Sequence, residues 1–380
     1  MSATLSTIAV YNAAGQLAGV VDDAIDYEII DRFGQAGEWR ANVDAARCRS
    51  LLTPGATIAV SWRGVLVFCG LVGTELVERL AFGGGRAVLE VSGPSLESAY
   101  LGVLCYPAPT LAGTAQVGGA TLSLTGTAST VVRTLLVNQI GPTADATRQA
   151  AVTFAADPAV GATVSDTAQM EPLRGVVDRL CAAGGVTVRG TRTPTGVTLT
   201  VAGTRNRTAA IRLAPETGTV SGYTLATRVP TATRVLVGDA GTGAARVFKA
   251  ATDTTAETRW LARRENFVDH SQTTSATVLQ TQANADLADA TELALLAVDI
   301  VEGPRMYYGV DVIVGDLVTV AVAGVEQQLV VTEAHLTANV TEGPRVRLAV
   351  GGINPDDGAR KLARSLNGIS RRITRLEARR

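Results

Sequence analysis

Apolar and polar positions alternate in short runs through the first hundred residues, with a glycine-bearing turn after almost every run. TIAVY (7–11), QLAGVV, AIDYEIID, EWRANVD, TIAVSW and GVLVFCGLV are separated by AAG, FGQAG, TPGA and RGV, so each run is expected to be a strand of five to eight residues. In DYEIIDRF, Tyr27, Ile29 and, less cleanly, Asp31 share one face of a half-buried strand. Arg47 to Leu52 reads as a short helix or an ordering turn. After AVLEVSG and Pro94, SLESAYLGVL predicts one or two helical turns with Ser95 as a cap and Leu96 and Tyr100 on one face. A barrel or a curled sheet is the simplest way for so many short strands to hide their edges.

The pattern then changes period. Residues 106–129 are rich in proline, glycine and threonine and mark a boundary or a long excursion. TVVRTLLVNQIG and QMEPLRGVVDRLCAAGG carry apolar residues at helical spacing, the second with Leu173, Val176, Val177 and Leu180 on one stripe and a double-glycine stop. VTVRG and TGVTLTVAG, joined by RTPTG, predict a hairpin. Strands resume at TRVLVGDAGTGAARVFKA, an alanine-rich helix is expected over 278–297, and strands of similar length run from VDIVEG to PRVRLAVGG. In DVIVGD, 311–316, the expected strand, glycine turn and second strand leave the carboxylates solvated. The resulting fold class is mainly β with an α+β insert: a first barrel-like domain at 1–105, an inserted peripheral α+β domain at 106–229, and a second barrel-like domain at 230–353 similar to the first. A terminal helix occupies 354–380.

That terminal stretch has the clearest period of all. Leu362, Leu366, Ile369, Ile373 and Leu376 recur at alternating steps of four and three, the seam of an amphipathic helix. Asn354 and Pro355 suit its start, Asp356 and Asp357 its first turn, and arginines its last turns. With Leu366 and Ile373 at a positions, Arg372 falls at g and Glu377 at e, placed for an interhelical salt bridge in a parallel assembly, and isoleucine at both core positions leans towards trimers or tetramers over dimers. Gly368 interrupts the seam at a cost of about 1 kcal/mol. Two partners fit the seam: other copies of the chain, or the chain's own body. Eight basic residues against one acidic residue in 359–380 favour the first, because most of such a helix would be solvated.

Composition narrows the function classes. Charged residues are 18% and aromatics 4%, while 46% of the chain is hydrophobic, too much for disorder. Net charge is −1, but without its basic tail the chain carries 26 basic and 34 acidic residues over 1–358, a balance unsuited to wrapping nucleic acid. Cys48, Cys69, Cys105 and Cys181 are isolated and read as buried thiols, with no CxxC pair. The longest apolar runs are strand-length, so no membrane insertion is expected, and synthesis is placed in the cytoplasm.

Candidate chemistry is sparse. GDAGTGAARVFK has the glycines of a phosphate loop without GxxxxGK[ST], and a hairpin is the simpler reading. His270 and His335 are far apart, with no HExxH, although His335 and Glu333 would share a strand face. There is no GxSxG elbow and no evident Cys–His pair. Asp22, Asp23, Asp26, Glu28 and Asp31 could supply a carboxylate pair for glycoside hydrolysis, but carboxylates on an exposed strand face are commoner. No catalytic, metal-binding or cofactor-binding residue emerges. Trp39, Trp62 and Trp260 all lie in strand-like stretches, a poor supply of sugar platforms.

The order of RFGQAGEWRANVD, AVLEVSGPSLESAYLGVLCYPAP, VLVGDAGTGAARVF and VEGPRMYYGVDVIVGDLVTV resembles the siphophage tail baseplate-hub family, the Gp37-like tail-tip proteins, over roughly residues 5–350. The resemblance implies a virion protein of the tail tip, assembled in the host cytoplasm. It implies a homotrimeric ring whose two tail-tube domains per subunit give pseudo-sixfold symmetry. That ring would join the hexameric distal tail protein ring to a threefold tip or fibre protein and line a channel for passing DNA without binding it specifically. It implies no enzymatic activity. A receptor-binding or carbohydrate-binding tail module, or a cell-wall-degrading tail enzyme, is the alternative.

Overall fold

A computed structural model describes residues 6–21, 24–73, 75–80, 87–118, 120–193, 195–239, 241, 243–270, 275–290, 293–322, 325–339 and 343–351. Most of its elements are strands. A four-stranded antiparallel sheet runs Leu17–Val21, Ser6–Tyr11, Thr57–Trp62, Val65–Leu71, in the segments read as strands from their alternation. The hairpin between the last two turns through Arg63 and Gly64, both at positive φ, as a tight turn requires.

The main sheet is a path of eight strands. One quartet comes from the amino-terminal region: Asp26–Arg32, Glu38–Asp44, Glu75–Leu80 and Ala87–Pro94. The other comes from Val220–Arg228, Leu293–Ile300, Val325–Asn339 and Gly343–Val350. Taken in one direction along the path, each quartet is laid out as its first, second, fourth and third strand in sequence. The two quartets thus share one strand topology and follow each other head to tail. They meet where Val325–Asn339 pairs antiparallel with Asp26–Arg32, from Glu333 opposite Arg32 to Asn339 opposite Asp26. Off the path, Asp316–Val322 pairs with Val325–Asn339 and takes Arg205–Asn206 and Arg212–Leu213 as parallel partners. Residues 205–228 therefore give their strands to this sheet.

One core lies between the main sheet and the first sheet and continues under the second quartet, through Ile29, Trp39, Ile58, Trp62, Val298, Leu336 and Leu348. Two smaller units stand beside it. Helices Ala128–Ile140 and Leu173–Gly184 pack together over the hairpin Val186–Thr193 with Gly196–Gly203, as their apolar stripes predict. Between Val220–Arg228 and Leu293–Ile300, the strands Arg234–Gly238, Phe248–Thr252 and Glu265–Asp269 pack against the helix Ala276–Ala290. The glycine-rich 238–249 stretch is here a hairpin connection between antiparallel strands.

Several expectations change. The helix read over 278–297 covers Ala276–Ala290, and LALLAVDI is a strand held between two others, Val220–Arg228 and Gly343–Val350. An interior strand position with backbone partners on both sides outweighs the helix propensity of leucine and alanine. Trp260 closes a short helix, Thr254–Trp260, and does not lie in a strand. Asp316, expected in solvent, is fully buried, where its carboxylate accepts from Arg205 at 2.7 and 2.9 Å and from the Ile313 amide. Ser95 precedes a 3-10 turn, Leu96–Ala99, but its hydroxyl bonds the Glu97 carboxylate and does not cap the turn's backbone.

Candidate functional site

Alternation divides the main sheet into an apolar face and a charged one. On Asp26–Arg32 the buried residues are Tyr27, Ile29 and Asp31, leaving Asp26, Glu28, Ile30 and Arg32 on the opposite face. On Glu38–Asp44, Trp39, Ala41 and Val43 are buried, leaving Glu38, Arg40, Asn42 and Asp44 opposite. Antiparallel register aligns these positions across strands, with Glu28 opposite Arg40 and Thr337, and His335 opposite Arg347. The second face is thereby covered with paired charges: Arg40 with Glu28 at 2.8 Å, Arg79 with Glu90 at 3.2 Å and Arg347 with Asp299 at 3.4 Å.

Where the two quartets meet, these pairs fuse into a network. Arg32 donates to Glu38 at 2.8 Å and to Glu333 at 2.7 Å, Glu333 contacts the His335 ring, and the other ring nitrogen lies 3.8 Å from Glu28. Burial would lower the His335 pKa, but hydrogen bonds and charge from Glu28 and Glu333 outweigh it and raise it to about 9. The imidazole is therefore a cation at neutral pH. Glu28 is held below the usual carboxylate range, chiefly by its hydrogen bond to His335. The network clamps the one ladder that joins the quartets, and Arg32 and Glu333 are almost buried, so its bonds are only weakly screened.

Behind that ladder, the α+β unit is fastened to the sheet around a cavity of ≈ 210 Å³ lined by Asp31, Phe68, Cys69, Glu97, Arg189 and Tyr308 among others. Arg189, on the hairpin, lies 3.0 Å from Asp31, which also accepts from the Tyr308 hydroxyl at 3.4 Å. Glu97 accepts from the Ser95 hydroxyl and from the Gly190 amide at 3.2 Å. Burial pushes both carboxyls up, with Arg189 opposing it at Asp31 and the Ser95 hydrogen bond opposing it at Glu97. Each carboxylate is thus engaged by the protein's own donors, an arrangement that fixes one unit on the other.

A family model described as Siphovirus ReqiPepy6 Gp37-like protein matches residues 7–352. The chain belongs to that family. No curated protein matches the sequence. Among solved structures, this Gp37-like chain is similar to the 43 kDa tail protein of prophage MuSo2 from Shewanella oneidensis, at 13% identity and a TM-score of 0.59, over 92% of this chain and 99% of that one. A tail protein from Neisseria meningitidis MC58 gives 15% identity and 0.57 over 91% and 96%. Prophage tail protein gp18 from Listeria monocytogenes EGD-e gives 12% and 0.54 over 95% and 99%. At such identities the likeness is one of fold: the Gp37-like chain has the fold of phage tail proteins.

The seam residues Leu362, Leu366, Ile369, Ile373 and Leu376, and the pair Arg372 and Glu377, lie outside the described residues. Of the carboxylates weighed for glycoside chemistry, Asp26 and Glu28 lie on the charged face and Asp31 is buried on the other, so a strand separates their side chains. Asp22 and Asp23 lie outside the described residues. All four cysteines are buried, with burial raising Cys69 to about 11 and Cys105 and Cys181 to about 12. Among the described residues no group of three or more His, Cys, Asp or Glu side chains is placed to hold a metal. Sequence reasoning placed His335 and Glu333 on one face but missed Glu28 and Arg32, which reach them from some three hundred residues away.

Proposed function

We propose that the chain is a structural hub of a long-tailed phage tail tip: three copies form a ring around the tail axis, each supplying two tube-like halves. The ring meets a sixfold distal tail ring on one side and a threefold tip or fibre on the other. The observation that carries this reading is the repeat of one four-stranded topology, head to tail, in a chain of the Gp37-like family. Two like halves per copy give three copies six like positions, which reconciles threefold and sixfold neighbours.

The charged face supports a further part of the reading, a channel wall past which DNA slides. Arg32, Arg40, Arg79 and Arg347 on that face are each bonded to a carboxylate, so they do not form the array of open cations that would hold phosphates. The role is that of a scaffold and not of an enzyme, in keeping with a buried polar junction whose carboxylates are already bound. A sugar-binding role gains no support from Trp39 or Trp62, which are 3% and 0% exposed and offer no platform.

Projection images of the purified protein, or of tails containing it, test the reading. A threefold outline around a central channel is expected; a compact single copy that stays single when tail neighbours are supplied would overturn it.

A further inference from the structure

The cavity behind the ladder is built for more than fastening. Its polar lining comes from both units: Asp31 and Gln35 belong to the sheet and the connection after its strand, while Arg189 and Thr191 are alternate residues of Val186–Thr193 and share one face of it. Arg189 gives one terminal nitrogen to Asp31, but Nη2 is buried without a partner. The Gln35 amide and the Thr191 hydroxyl have no protein partner among the described residues either. Buried polar groups are rarely left unpaired. Gathered at one cavity, these mark a place for a molecule that supplies the missing bonds.

The carboxylates have capacity to spare as well. Asp31 accepts from Arg189, Tyr308 and the Arg32 amide, and Glu97 from Ser95, Gly190 and its own amide, so each keeps about one of roughly four acceptor sites. Glycine at 190 makes that approach possible, since a Cβ there would lie 2.7 Å from the Glu97 nitrogen. Val67, Phe68 and Ile313 give the cavity an apolar side, and Leu66, 42% exposed, carries the lining out to solvent.

Charge and size then select the occupant. An anion would meet Asp31 and Glu97, because Arg32, the other cation at the cavity, is taken by Glu38 and Glu333. A cation would leave Arg189 Nη2 with no acceptor. What fits is a neutral molecule with lone pairs for Arg189, O–H donors for the carboxylates and a C–H face for Phe68. A cavity of about 150 Å³ takes a benzene ring, and ≈ 210 Å³ has room for a ring that carries hydroxyls. We propose that this cavity binds one neutral hexose ring, held by Arg189, Gln35, Thr191 and Glu97. The site needs no tryptophan platform and does not depend on the ring of copies. Its occupant touches both units, so binding also tightens the α+β unit against the sheet.

Saturation-transfer NMR on the purified chain with methyl glucoside and methyl galactoside tests the site. At least one should bind saturably with a Kd on the order of 1 mM, as suits about a dozen heavy atoms, and the amino sugar and uronic acid of the same ring should bind more weakly. Arg189→Lys keeps a cation beside Asp31 but loses Nη2, and Gln35→Ala removes the amide from a connection between strands. Each should weaken binding by about fivefold or more, and Gln35→Ala should leave the circular dichroism melt in place. Equal binding by wild type and both variants would put the sugar elsewhere and overturn the site. No saturable binding of either glycoside would mean a cavity that holds water only, which overturns it too and leaves the scaffold reading standing.

Discussion

Between Glu28 and Glu333 an imidazole keeps its second proton to about pH 9, against an ordinary value of 6.5. A group whose folded pKa is raised contributes stability fully below its unfolded pKa and loses it as pH climbs through the folded one. The groups facing His335 are Glu28 on the neighbouring strand, Glu333 on its own and Arg347 opposite. Stability to urea should therefore fall by about 2 kcal/mol between about pH 6.5 and 9, and His335→Gln should flatten that dependence; an unchanged slope would show that the clamp contributes nothing. Glu28 works in the opposite sense, because its lowered pKa means a contribution lost as pH falls through the carboxylate range. The seam is tightest between these limits. Strand alternation placed Glu333 beside His335 in the sequence, whereas the carboxylate on the other side, and the burial of Asp31, depend on which chain segments lie across the sheet.

The strand Ala87–Pro94 shows how closely elements approach. Its Gly93 packs so near Leu71 that a Cβ there would lie 1.6 Å from the Leu71 carbonyl oxygen, the same oxygen that accepts from Trp39 Nε1 at 3.1 Å. Gly93→Ala should destabilise the fold by about 3 kcal/mol, read as a lowered urea midpoint; a midpoint close to wild type would mean that the crossing strand shifts freely. Elements with their own strong period were legible. Ala128–Ile140, Leu173–Gly184 and the hairpin after them fall where their patterns place them. The stretch 293–297 was not, because leucine and alanine suit a helix and an interior strand alike, and the flanking ladders decide.

At the scale of the whole molecule, the sheet draws its strands from both ends of the described chain and sets the α+β unit to one side. If copies surround a common axis, the tail seam is placed to help hold them together. Removing 359–380 should weaken self-association by about tenfold or more while leaving the melting transition of the body in place. An unchanged oligomer by light scattering would assign the seam to the body. By itself the sequence determined the β-rich class, the two helices and hairpin of the α+β unit, the turn glycines and the buried thiols, because these follow from local period and side-chain size. Tertiary structure alone decided that the two outer stretches share one sheet, that Asp316 is buried and paired with the half-exposed Arg205, and that Glu28, Arg32, Glu333 and His335 form one network. Ladders between distant strands depend on which edges meet, and local pattern does not specify that pairing.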